Sequence, residues 1–141
     1  MPKEDYLLKY LEKLSRVIAA MMGFRDKGFP DDAIRLADET YKELLNFNAE
    51  ELAIMPVEEF MEIIRKIGYS STYLDALAQL AHETADSYKE YEKNELAQCF
   101  YLKSLKLYYL LNEKDKTFSF ERELIISGLE KITNLYINQN P

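Results

Sequence analysis

The side chains able to do chemistry are few and widely spaced. His82 is the only histidine, and Asp86 lies four residues further along. On a helix that spacing puts both on one face, close enough for a hydrogen bond that orients the imidazole. Such a pair serves as a general base or as half of a metal site. It serves equally as a helical ion pair on a solvated face shared with Asp75, Gln79 and Lys89, and nothing in the sequence completes the first reading. No Glu-x-x-His motif pairs with a second one, as a di-iron bundle site requires. Cys99, the only cysteine, has no histidine near it and adjoins Phe100. A nucleophilic thiol needs a base or a helix N-terminus to lower its pKa, so Cys99 reads as a packed or half-exposed thiol. Glu50-Glu51 and Glu58-Glu59 fall at helix starts, where negative charge favours the helix dipole, and read as caps rather than acid/base pairs. There is no glycine-rich phosphate loop, no Gly-x-Ser-x-Gly elbow and no Cys/His ligand set. The expectation is no catalytic residue, no metal and no cofactor, which leaves an enzyme only a site assembled from scattered carboxylates.

The elements that would carry these residues are helices. From about Glu4 to Arg25, Leu7, Leu11, Leu14, Ile18 and Met21 recur at helical spacing. Gly28 and Pro30 punctuate that segment, and Pro30 with Asp31 and Asp32 suits the start of the next helix. Its apolar side holds Ala33, Ile34, Ala37, Thr40, Tyr41, Leu44 and Leu45, and it ends near Asn46. Ala49 to Met55 reads as about one helical turn. Pro56 opens a short helix with Phe60, Ile63, Ile64 and Ile67 inward, stopped by Gly68. Ser70 or Ser71 caps a helix carrying Tyr73, Leu74, Leu77, Ala78, Ala81, Ala85 and Tyr88. After Glu92-Lys93-Asn94, the stretch Glu95 to Leu111 is apolar over most of its circumference, the pattern of a central helix covered on several sides. A last helix, about 117–138, places Leu124, Ile125, Leu129, Ile132 and Tyr136 on one face. The clustered Tyr108, Tyr109, Phe118 and Phe120 read mostly as core where the last two helices meet. No strand pattern appears.

Composition narrows the function classes. A chain of 141 residues with 48% hydrophobic content forms one globular domain without a covalent staple. A net charge of −7 and a pI near 4.8 argue against nucleic acid and against an anionic bilayer. No run of about 20 apolar residues spans a membrane. Met1 to Asp5 is polar, and Lys9, Glu12 and Lys13 interrupt the next apolar stretch, so no signal peptide is expected. With a single cysteine, the reading is a cytoplasmic protein.

The two alanine-bearing hairpins, about 4–46 and 71–112, align when Ala33 is placed on Ala97, an offset of 64 residues. Phe24 then falls on Tyr88, Met21 on Ala85 and Thr40 on Ser104. Ala85, Tyr88, Ala97, Tyr101 and Ser104 in the second unit, with Phe24, Gly28, Ala33 and Thr40 in the first, resemble the tetratricopeptide repeat. Small side chains are needed where two helices cross near a tight turn, and aromatics fill the wider gap a turn away. The match is degenerate: Met21 and Ala37 replace the usual small residue and aromatic, and Leu45 and Tyr109 stand where the repeat's proline would be. The chain is also similar to a group of small bacterial helical proteins with such repeats, a likeness that adds no function. The expected architecture is an all-α, tetratricopeptide-repeat-like α-α superhelix. It carries an inserted helical segment, about 47–69, and the last helix as a cap.

The resemblance implies a non-catalytic protein–protein interaction module whose first helices line a groove. The matching positions are Ile18, Met22 and Arg25 in the first unit and Gln79, His82, Asp86 and Lys89 in the second. The carboxylate-clamp form of the family uses Lys and Asn where this chain has His82 and Asp86, which argues against capture of a C-terminal carboxylate. An acidic chaperone-like adaptor belongs to the same class. The rival reading is a structural or regulatory homodimer whose groove is filled by its own insert, with Phe60, Ile63, Ile64 and Ile67 lying there. Tyrosine-rich C-terminal helices suit a two-fold dimer. An enzyme ranks last.

Overall fold

The computed structural model describes residues 2–67 and 70–139, with side chains over 8–67 and 70–134. Among these the protein has seven α-helices and no strand: α1 Pro2–Asp26, α2 Pro30–Leu45, α3 Ala49–Ile54, α4 Val57–Ile67, α5 Ser71–Glu90, α6 Asn94–Lys114 and α7 Phe120–Gln139. No helix among the described residues is long and apolar enough to cross a membrane. The expectations for Gly68 and Tyr69, and for the side chains of Leu7 and Tyr136, lie outside the described residues.

The helix ends follow local chemistry. Pro30 occupies the first turn of α2, where its missing N–H has no partner to lose, and Asp31 and Asp32 face the positive end. Asn48 and Glu51 form a reciprocal capping box on α3: Glu51 N–H donates to Asn48 Oδ1 at 2.8 Å, and Asn48 N–H to Glu51 Oε1 at 2.9 Å. Ser70, rather than Ser71, caps α5 by accepting from Tyr73 N–H at 3.1 Å.

The two long hairpins turn in the same way. After α1, Phe29 N–H donates to Phe24 O and Gly28 N–H to Arg25 O, with Gly28 at φ 85°. After α5, Lys93 N–H donates to Tyr88 O and Glu92 N–H to Lys89 O, with Glu92 at φ 62°. Both are the paired 6→1 and 5→2 closure that needs a left-handed residue just past the helix. Glycine adopts that conformation freely, whereas for Glu92 it costs roughly 1 kcal/mol. Asp26 and Glu90 end their helices and Pro30 and Asn94 start the next, each pair 64 residues apart. The bounds of the two hairpins thus share a 64-residue offset, and Ala33 and Ala97 are both buried.

Packing places α1 against α2 and α5, α2 against α5, and α5 most extensively against α6. Helix α6 is central: α3, α4 and α7 also lie on it, as expected of a helix apolar nearly all round. Phe100 on α6 stacks between Tyr41 and Tyr88, with ring centroids 5.6 Å and 6.0 Å away. Thr84 donates its hydroxyl proton to Leu80 O, so the buried Tyr41 hydroxyl donates to Thr84 Oγ1 at 3.1 Å.

Three sequence readings need correction. The insert lies on α6 and, through α3, on α2, not across α1 and α5. Phe60 and Ile64 are buried as expected and Met61 joins them, but Ile67 is exposed. The insert is held by a residue the sequence did not single out. Lys103, 2% exposed, donates from Nζ to Ala53 O at 3.0 Å and to Met55 O at 2.8 Å, beneath the Phe60 ring. Secondly, of the aromatic cluster only Tyr108 is core; Tyr109, Phe118 and Phe120 are exposed, because Phe118 lies in the α6–α7 link and α7 is packed chiefly on α6. Thirdly, the inner face of α7 is Ile126, Leu129 and Thr133, not Leu124, which is 58% exposed. Helix α7 starts at Phe120, after Ser119 accepts from Arg122 N–H, three residues later than the pattern suggested.

Candidate functional site

The neighbouring first helices of the two hairpins, α1 and α5, bring part of the expected residue set together. Arg25, in the last turn of α1, reaches across to α5. Its Nε donates to Glu83 Oε2 and its Nη2 to Glu83 Oε1 at 3.0 Å, a two-pronged bond that suits the guanidinium's rigid fork. Nη1 donates to Glu90 Oε1 at 3.0 Å, and Asp86 lies 3.9 Å from Nη2. One guanidinium thus faces three carboxylates spaced along one side of α5.

Two expectations change here. Arg25 is not a free groove residue: its side chain is 17% exposed and its donors are engaged by buried Glu83 and exposed Glu90. Nor are His82 and Asp86 hydrogen-bonded to each other: the two stand as an i,i+4 pair on a half-buried face rather than a solvated one. Their closest approach is 3.9 Å, beyond hydrogen-bond range, and Asp86 Oδ1 instead accepts from the Tyr101 hydroxyl at 2.6 Å. His82 packs edge-on against the Tyr101 ring, 5.9 Å between centroids. Both residues are half-buried. Met22, Gln79 and Lys89 are exposed, and Ile18 is partly buried against the core.

The electrostatics follow from this layering. Burial, more than any neighbour, holds the His82 imidazole below its ordinary pKa; Asp86 pulls it up and Arg25 pushes it down. It is therefore neutral near pH 7. Burial likewise pushes the Glu83 carboxyl up, against the pull of Arg25. Arg25 is held far above its usual range, chiefly by its bond to Glu83. Burial and the bond to Asp86 raise the Tyr101 phenol, so it stays a donor.

Glu83, Glu90 and Tyr101 join this cluster, where the sequence reading did not put them. Glu83 carried a signal: it sits among Leu80, Ala81, Thr84, Ala85 and Ser87, a run too small and apolar to leave a carboxylate in water, and its 6% exposure agrees. Among the described residues, no three His, Cys, Asp or Glu side chains are grouped to hold a metal. Cys99 is half-exposed on α6, one turn before Lys103. Compared with known proteins, the chain matches no family model, no curated sequence and no solved structure.

Proposed function

We propose that this protein is a non-catalytic interaction module that takes a peptide or protein segment along the α1–α5 face. The observation that carries the reading is the layered composition of that face. A locked ionic network, Arg25 with Glu83 and Glu90, forms its floor. Half-buried His82 and Asp86 and exposed Met22, Gln79 and Lys89 lie on the same two helices. A fixed floor keeps the ordering entropy of binding low, an apolar thioether supplies contact area, and rim charges supply orientation. The tetratricopeptide likeness supports the same reading: two hairpins with equivalent turns, a buried alanine in each and first helices side by side. In this reading α3 and α4 brace the opposite side through α6, so the face stays free for a partner, and α7 caps the array.

The test uses the two side chains that bear least on the fold. Met22→Glu with Lys89→Glu should leave the melting temperature within a few degrees, since exposed substitutions change stability by about 0.5 kcal/mol or less. The same double variant should lose the partner that the wild-type chain captures from native cell extract. Undiminished capture by a folded double variant rules the α1–α5 face out.

A further inference from the structure

A second site lies where the ends of α2, α3, α5 and α6 converge. It is a cavity of about 260 Å³ lined by Asp38, Glu50, Tyr88, Tyr91, Lys93 and Leu96, among others. That volume falls just short of the roughly 300–1,000 Å³ of pockets for drug-sized ligands, and suits a single long side chain. Tyr88 is 5% exposed, its ring fixed against Phe100. No hydrogen bond to its hydroxyl occurs among the described residues, and that oxygen is open to solvent rather than buried. Asp38 and Glu50 share the lining with Tyr88, and burial first, then these two carboxylates, oppose ionisation of its hydroxyl. Asp38 uses Oδ1 to accept from Ala49 N–H at 2.9 Å and keeps Oδ2 for another donor. Tyr91 is half-exposed at the mouth. Lys93, on the rim, is the single basic residue of the lining.

We infer that this cavity is a receptor for the guanidinium of an arginine side chain presented by a partner protein. Two carboxylates supply the opposing charge, the unpartnered Tyr88 hydroxyl supplies a third acceptor, and the Tyr91 ring supplies a face for the planar cation. An ammonium ion has three donors and no plane to stack, so it uses this lining less completely. A protein with net charge −7 also attracts basic segments at long range. The inference stands apart from the α1–α5 face, which shares none of these lining residues.

The experiment is an NMR titration of the full chain with acetyl-Ala-Arg-Ala-amide, following the ring signals of Tyr88 and Tyr91. The same peptide with citrulline, which keeps the shape and removes the charge, is the control. The expected result is saturable shifts of both rings with the arginine peptide and none with citrulline. Asp38→Asn with Glu50→Gln should weaken binding at least about tenfold while retaining an acceptor for Ala49 N–H. Tyr88→Phe, which preserves the stacking on Phe100, should weaken it severalfold and serves alone if the double variant does not fold. Absence of saturable shifts, equal shifts with citrulline, or affinity unchanged in the folded variants overturns the assignment. So does binding of spermidine without binding of the arginine peptide, which would make the cavity a site for free polyamines. None of these outcomes depends on the capture experiment, so the two readings fail separately.

Discussion

Arg25→Met lowers the unfolding free energy by about 2–4 kcal/mol, measured by urea denaturation near pH 7. The substitution keeps the aliphatic bulk, so the loss is not a cavity effect. It strands Glu83, whose side chain is only 7% exposed, without the cation that neutralises it. Removing one partner of a fully buried pair costs about 3–5 kcal/mol, and the partial exposure of Arg25 moves the expectation to the lower part of that range. Glu83→Gln alone costs less, because Arg25 keeps Glu90 and the nearby Asp86. The double change, Arg25→Met with Glu83→Gln, recovers at least half of the single loss, since no charge is then left buried and alone. The pH dependence has a definite sign. The folded-state pKa of Glu83 lies above its ordinary value through burial. The folded state therefore holds a proton more readily than the unfolded one, so stability is fully present below the ordinary glutamate pKa and falls as pH rises through the raised value. In Arg25→Met that slope steepens, and the deficit shrinks toward acid pH. A deficit independent of pH would show that Glu83 is solvated once Arg25 is gone.

Lys103→Met is the second large effect, a loss of about 2–4 kcal/mol. Two terms compete. Burial holds the Lys103 ammonium below its ordinary pKa, which means that the charged form is costly in place and its removal favourable. Against that, the carbonyls of Ala53 and Met55, at the end of α3, lose their donor. Each buried acceptor left empty costs about 1–3 kcal/mol, and two such groups outweigh relief of a cation that already has good partners. Lys106→Met, on the exposed side of the same helix, should change stability by about 0.5 kcal/mol or less. Amides of α3 and α4 should exchange faster in Lys103→Met, while those of α5 hold. A neutral or stabilising result would mean that water reaches the two carbonyls and that Lys103 does not pin the insert.

These two residues mark the boundary of what the sequence disclosed. Periodicity located the inward faces of α2 and α5, because a single apolar stripe, such as Ala33, Ala37, Thr40 and Tyr41, faces one neighbour. It also identified α6 as central. The same all-round character hid Lys103: on a helix with no polar stripe, a lysine has no expected direction, and its partners lie 48 and 50 residues away at the end of another helix. Arg25 was read as an open groove residue, whereas its side chain is engaged by Glu83 and Glu90, 58 and 65 residues further along the chain. Phe118, Phe120 and Leu124 were misread because aromatic and apolar content indicates core only where a second element covers it. The turns were the most legible feature. Local signals at Gly28 and Pro30 acted without help from distant contacts, and the backbone repeats their geometry at Glu92 and Asn94.

The proposed interaction face is tested most directly by hydroxyl-radical footprinting of the wild-type chain, free and in complex with protein captured from native cell extract. Met22 is 47% exposed and its thioether reacts readily, whereas Met21, one residue before it, is fully buried and serves as an internal reference. The predicted result is strong protection of Met22 and of His82 in the complex, with Phe118, Phe120 and Leu124 as reactive as in the free chain. Met22 and His82 reacting equally in both states, with protection moved to the exposed side chains around α7, would contradict the account.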